Sequence, residues 1–528
     1  MNSDSDSPNA CNPAAGPAHE GTRRPKPRRR RRWRFYLMTV VVVPALLLGL
    51  AEAGLRIAGY GYDVRFWVKD EAAGRHVVNE DFGLRFFPPS LVRVPFPVSV
   101  ASEKPDGAYR IFVMGGSAAQ GIPDPSFSVG SILETMLAET YPDASFEVVT
   151  AAMTGINSHV VLPIARDCAR REPDLFIIYL GNNEVVGPFG AGTVFAGYSP
   201  SLSMIRASLA ARTIKLGQLV EDLARKAPGK ESPKEWAGME MFMSNVVSAD
   251  DPRLDGVYSH FRQNLRDICR AGRQAGADTI LCTVAVNLRD CSPFASTHKA
   301  GLSEAELAQW EQGFEAGIER ADAGDCEQAI GHFLTAAAID DRYAELQFRL
   351  GQCYLAEGQE QPARHAFFAA RELDALRFRA DSRINRIIRE VADEEGAGVH
   401  LVDAERAMSK SDKSVAGLAG EEFFFEHVHM TFDGNYEVAR AMFPVVVGLL
   451  PDAIRAKGPE SPTPPTRAQA AKVMGLTAWL QAQMFSYMLQ MTEHPPFTGQ
   501  FDHAQRRGAL KEMVRRFESQ DDARGEVR

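Results

Sequence analysis

Phe112-Val-Met-Gly-Gly-Ser117-Ala-Ala-Gln-Gly121 is the stretch on which the reading of this chain turns. A run of apolar residues with strand preference ends in a Gly-Gly-Ser turn, and a helix-compatible segment follows. The turn presents the Ser117 hydroxyl at the carboxyl end of a strand, where open α/β sheets place their ligands. A hydroxyl near its free pKa is a weak nucleophile. Ser117 therefore needs a base and preorganised donors from elsewhere in the chain.

Outward from this stretch, short apolar runs alternate with helical patterns: Tyr109 to Gly115, Phe146 to Thr150, Leu175 to Leu180, Thr279 to Val286 and Val399 to Val402. Continuous Val, Ile, Leu and Phe indicate parallel strands buried on both faces, with helices as crossovers. The expected fold is α/β, a three-layer doubly wound parallel sheet of flavodoxin-like type over 109–302 and 377–452. Before it, 59–108 holds short aromatic and β-branched runs with Pro88-Pro89, a partly β lead-in. Residues 187–275, opening Gly187-Pro-Phe-Gly190, are long enough to cover a site. The tail 466–520 carries helical periodicity, with an apolar face for the domain or for a partner.

A second interruption, 303–376, repeats itself. Ala329, Phe333 and Ala336 recur as Ala363, Phe367 and Ala370, and Gly317 recurs as Gly351. This period, about 34 residues, and these residue types resemble tetratricopeptide repeats, which pair helices through small residues. Leu350-Gly351 and Tyr354 fit the pattern; Arg320 stands where the first copy would have its Tyr. Two copies are fewer than such arrays use, so the pair is expected to pack on the α/β domain or on the helix Ser382 to Val391.

The chain has 528 residues, net charge −9, 45% hydrophobic and 24% charged residues, which suits two or three folded domains. Arg23 to Arg34 concentrates the basic charge, and the remainder carries about −18, which argues against nucleic-acid binding by the folded part. Residues 1–22 have a disordered composition. After the basic run comes Phe35 to Ala51, uncharged and at the lower limit for spanning a bilayer. The expectation is a disordered basic cytoplasmic tail over 1–34, a transmembrane anchor over 35–57 and the rest outside, periplasmic in a bacterium. The alternatives are a nucleic-acid patch and a signal peptide cleaved near Ala51-Glu-Ala53. Seven scattered cysteines show neither metal spacing nor a disulfide framework.

Four blocks follow strand ends in order: Gly115-Gly-Ser117-Ala-Ala-Gln-Gly121, Ala151-Ala-Met-Thr-Gly155-Ile-Asn-Ser158, Tyr179-Leu-Gly181-Asn-Asn183-Glu184, and Phe425-Glu426-His427-Val428-His429 continuing to Asp433-Gly434. Together they resemble the SGNH, or GDSL-type, hydrolase superfamily. The resemblance implies Ser117 as nucleophile and His429 as base. It also implies an oxyanion hole from the N–H groups of Ser117 and Gly155 and the side chain of Asn183. Gly116 stands where the family has Asp, and the acid three residues before the histidine is Glu426 instead of Asp. Asp403 and Asp433 are rival acids, and His427 is an alternative base. Arg289, in Val286-Asn287-Leu288-Arg289-Asp290, is a candidate for binding an anionic substrate group, or else an ion-pair partner of Asp290 or a neighbouring loop.

The resemblance implies a serine esterase working through an acyl-enzyme on an acyl ester or O-acylated glycan, with no metal and no cofactor; the basic run and the apolar segment make it membrane-anchored and periplasmic. Acyl transfer to a cell-envelope polysaccharide is the rival chemistry. A third reading makes the repeat pair a scaffold for a protein partner, with a vestigial hydrolase site.

Overall fold

The computed structural model describes residues 33, 35–195, 197–226 and 236–524, so the expected disorder of 1–22 lies outside the described residues. The chain divides into two units, Met1–Tyr60 and Gly61–Arg528. In the first, Phe35–Ile57 is one helix of 23 residues with mean hydropathy 2.0 and none of it buried. It is the one helix among the described residues long and apolar enough to cross a membrane.

The second unit is built on five parallel strands: β4 (Ala108–Gly115), β5 (Ser145–Ala152), β6 (Leu175–Tyr179), β7 (Asp278–Cys282) and β8 (Val399–Val402). Their order across the sheet is β5-β4-β6-β7-β8. Each expected strand is present, and the sheet is the doubly wound α/β type read from the apolar runs. Before it, β1 (Trp67–Asp70), β2 (Arg75–Val78) and β3 (Ser99–Ala101) form a small antiparallel sheet. The Asp167 carboxylate accepts the Phe66 and Trp67 N–H groups and ties this sheet to the helix Ser158–Cys168.

Strand β4 is buried at every residue and bonded on both edges, in register Gly115↔Ala152 and Gly115↔Tyr179. Strand β7 is shorter than its apolar run, which continues to Val286. Beyond Cys282 the ladder gives way to side chains: Asn385 accepts from Val284 N and donates to Val284 O, and the Tyr179 hydroxyl accepts from Ala285 N. The run stays buried without being strand, because its polar backbone is satisfied from elsewhere.

Between β7 and the helix Ser382–Glu395 that precedes β8 lie four helices, Glu304–Asp322, Cys326–Ile339, Ala344–Ala356 and Glu360–Leu373. A Cβ on Gly317 would strike the Phe333 ring, and a Cβ on Gly351 would strike Phe367, so the same glycine-to-ring contact occurs twice. A small separate core joins the two pairs, with Trp310 and Phe333 from the first and Leu346 and Leu350 from the second. From the second pair, Phe348, Ala363, Phe367 and Ala370 join the main core, which also takes in Ile384, Ile387 and Ile388 of the helix Ser382–Glu395. The C-terminal helices Ala478–Thr492 and His503–Arg524 pack back on the domain, with the Phe485 ring against Phe425. Cysteines 168, 269, 282, 291 and 353 are buried thiols without disulfides.

Gly115 approaches β6 so closely that a Cβ there would overlap the Tyr179 carbonyl oxygen and the Ala119 methyl. Gly115→Ala is expected to cost about 1–3 kcal/mol in urea unfolding, the usual range for overpacking. Gly448→Ala, in the helix Phe432–Leu449 with open space where its Cβ would stand, is the control and should show no loss.

Candidate active site

The parallel register brings three of the four blocks to one edge. Ser117 opens the helix Ser117–Gln120, two residues beyond β4, with extended Gly116 at its N-cap. The first N–H groups of a helix have no partner within it. Gly155 follows β5 with φ +70, a left-handed conformation that glycine adopts without strain. Asn183 follows β6, and its Nδ2 lies 3.4 Å from where a Cβ on Gly116 would stand. Among the described hydrogen bonds, none uses the N–H of Ser117, the N–H of Gly155 or the Nδ2 of Asn183.

The fourth block arrives on a tight reversal before the helix Phe432–Leu449. Phe424 and Met430 form an antiparallel bridge, and Phe425 N donates to His429 O at 2.9 Å. Glu426 sits inside this loop with no exposed surface. Its Oε1 accepts from His429 N at 2.6 Å and Val428 N at 3.2 Å, and lies 2.7 Å from His429 Nδ1. Its Oε2 contacts His427 Nδ1.

Both imidazoles share the carboxylate but differ in their surroundings. His427 is enclosed by the rings of Phe294, Phe378 and Phe497. Burial and the neighbouring His429, Arg379 and Arg506 charges hold its pKa well below the ordinary value. The pKa of His429 is lowered by burial to about 4, and its Nε2 has no hydrogen-bond partner among the described residues. A neutral imidazole with a free Nε2 is the form a general base requires.

Ser117, Gly155, Asn183, His427 and His429 line one cavity of about 500 Å³. Phe195, Trp236 and Phe242 of the 187–275 excursion make an apolar wall, and Tyr487, Met491 and Phe497 of the C-terminal segment make another.

The rival acids are engaged elsewhere. Asp403 caps the helix Ala404–Ser409 and binds Thr283 and Arg389, while Asp433 pairs with Lys413 and Arg467. The candidacy of Arg289 as an anion binder is corrected: its guanidinium pairs with Asp290 and Glu422, and it does not line the cavity. The residue of that segment that reaches the site is Asn287, fully buried. Its N–H donates to His427 O and its Nδ2 to Glu426 O, holding the histidine loop. A polar side chain ending an apolar run was its signal in the sequence.

Glu184 and Ser158, of the third and second blocks, join the two loops. The buried Glu184 carboxylate accepts the N–H and hydroxyl of Ser158 at 2.8 Å each, and Asn264 also donates to that hydroxyl. The loop carrying Gly155 is thereby fastened to the loop carrying Asn183. The described residues contain no cluster of ligands suited to a metal ion.

No family model matches the sequence, and no curated protein is significantly similar to it. Solved structures that match include TesA (13% identity, TM-score 0.27, covering 65% of this chain and 99% of that one) and a GDSL-like lipase from Bacteroides thetaiotaomicron (10%, 0.28, 66% and 93%). An acetyl xylan esterase also matches (12%, 0.26, 64% and 99%). At TM-scores this low, the likeness by itself establishes no common function.

Burial raises the pKa of Glu184 to about 7. A carboxyl whose folded pKa lies above its unfolded value stabilises the fold most at low pH and loses that contribution as pH rises through the folded value. The melting temperature of the wild-type chain should therefore fall relative to Glu184→Gln between about pH 4.5 and pH 7. Parallel curves over that window would show that Glu184 does not titrate there.

Proposed function

We propose that this chain is a serine esterase that forms an acyl-enzyme on Ser117. The observation that carries the reading is one cavity lined by a serine, an imidazole and three donor positions, the imidazole Nε2 and the donors having no hydrogen-bond partner among the described residues. Ser117 Oγ attacks the acyl carbon while His429 Nε2 takes its proton. The developing oxyanion is received by the N–H groups of Ser117 and Gly155 and by Asn183 Nδ2, all in place before reaction. The imidazolium, held by Glu426, returns the proton to the departing alcohol, and water then frees the acyl group by the same steps in reverse. His429 is preferred to His427 as base because three phenylalanine rings enclose His427.

Replacement of Ser117 by Ala should reduce hydrolysis of 4-nitrophenyl acetate by about a thousandfold or more, and His429→Ala should come close to it. A larger loss with His427→Ala than with His429→Ala would exchange their roles. The acid limb of kcat/KM should fall near pH 4, below the ordinary imidazole range, because protonation removes the base. Mass spectrometry of a glycan incubated with an acyl donor separates hydrolysis from transfer: a gained acyl mass would favour the transferase reading.

We further propose that Phe35–Ile57 anchors the protein, with the basic tail cytoplasmic and the catalytic unit outside. A helix of 23 residues extends about 35 Å, enough for a hydrocarbon core. Alkaline phosphatase fused after residue 60 should be active in a bacterial host, and a silent fusion would reverse the orientation.

A further inference from the structure

Among the described residues, one arginine, Arg93, lines the cavity without a carboxylate partner. Arg93 follows the short turn Pro89–Leu91 of the lead-in segment and runs across the loop that carries Gly155, with its Cγ 4.0 Å from where a Cβ on Gly155 would be. Its Nε and Nη2 donate to the Thr154 hydroxyl at 3.1 and 2.7 Å, and its Cζ lies 4.7 Å from the centre of the Trp236 ring. These contacts orient the guanidinium without neutralising it. Among the described residues no Asp or Glu lines the cavity or pairs with Arg93. Arg289, Arg377 and Arg379, by contrast, each face a carboxylate: Asp290 with Glu422, Asp381 and Asp374 respectively.

Half-buried among Trp236, Thr154 and Tyr487, the Arg93 charge has lost hydration, and burial lowers its pKa. A partly dehydrated guanidinium beside a reacting centre is compensated when an oxyanion pairs with it, and its fork matches a planar carboxylate through two parallel hydrogen bonds. A single cation suits a monoanion better than a phosphate dianion.

Building on the serine esterase reading, we propose that the ester taken by this cavity carries a carboxylate, and that Arg93 is the residue that selects it. The carboxylate belongs either to the alcohol, as in an acylated acidic sugar, or to the acyl group, as in a half-ester of a dicarboxylic acid. Both present the same group to Arg93.

Two ester pairs distinguish these sources in the full-length chain. In 4-carboxyphenyl acetate against its methyl ester the charge lies on the alcohol side. In 4-nitrophenyl hemisuccinate against 4-nitrophenyl butyrate it lies on the acyl side. The wild type should prefer the charged member of one pair by tenfold or more in kcat/KM after correction for intrinsic reactivity. Arg93→Gln, which keeps a donor for Thr154, should bring that ratio close to one, and Arg93→Lys should retain part of it. Equal rates within both pairs, or a preference that survives in Arg93→Gln, would overturn the assignment of Arg93, and Ser117→Ala would still report on the esterase reading. Absence of Ser117-dependent hydrolysis of all four esters would overturn both.

Discussion

Strand β4 is buried on both faces and hydrogen-bonded along both edges, and the positions of the other elements follow from that. Its one charged residue, Arg110, is fully buried, and it is tolerated because the guanidinium meets Glu147 and the carbonyl of Arg171. Its last residue, Gly115, is pressed against the Tyr179 carbonyl and the Ala119 methyl. The backbone therefore leaves the sheet at a fixed point and in a fixed direction. Since β5 and β6 run parallel to β4 on either side, their carboxyl ends open on the same edge. Ser117, Gly155 and Asn183 meet there without any of them being near another in sequence.

Two fully desolvated carboxylates hold this edge together in different ways. Glu184 receives the hydroxyl and N–H of Ser158, and burial without a cation moves its titration toward neutral pH. Its task is to join two loops. Glu426 receives two backbone N–H groups and touches both imidazoles, which suits a carboxylate that stabilises an imidazolium during proton transfer. Its longer side chain is accommodated by the reversal between Phe424 and Met430, which folds the carboxylate back on its own loop. The Asn287 side chain and N–H, from the end of the β7 run, secure the outside of that loop.

The cavity walls come from segments whose sequences name no ligand. The lead-in supplies Arg93, the excursion after β6 supplies Trp236 and Phe242, and the C-terminal segment supplies Tyr487 and Phe497. The four helices of 304–373 stay outside the cavity. Their second pair is bonded to the main domain through Arg371 to Glu405 and through Arg364 to the Ala416 carbonyl. The repeated contact of a glycine with a phenylalanine ring is local to each pair and survives the long separation from the site.

The sequence by itself determined the strands and their parallel character, because residues buried on both faces must be apolar without alternation. It also determined the glycine contacts of the repeated helices, where two small residues recur opposite two rings, and the apolar helix at 35–57. Only the tertiary structure decided which charged residues are already paired. Arg289 has Asp290 beside it in the sequence, but its second partner, Glu422, and the cavity that Arg93 faces are brought by segments far apart in the chain. The end of β7 was decided the same way, since its apolar run continues while Asn385 and Tyr179, remote in sequence, take over the hydrogen bonds of the ladder. The surroundings of the three candidate acids were also decided by folding: Asp403 and Asp433 are drawn to Arg389 and to Lys413 and Arg467, while Glu426 lies beside both histidines.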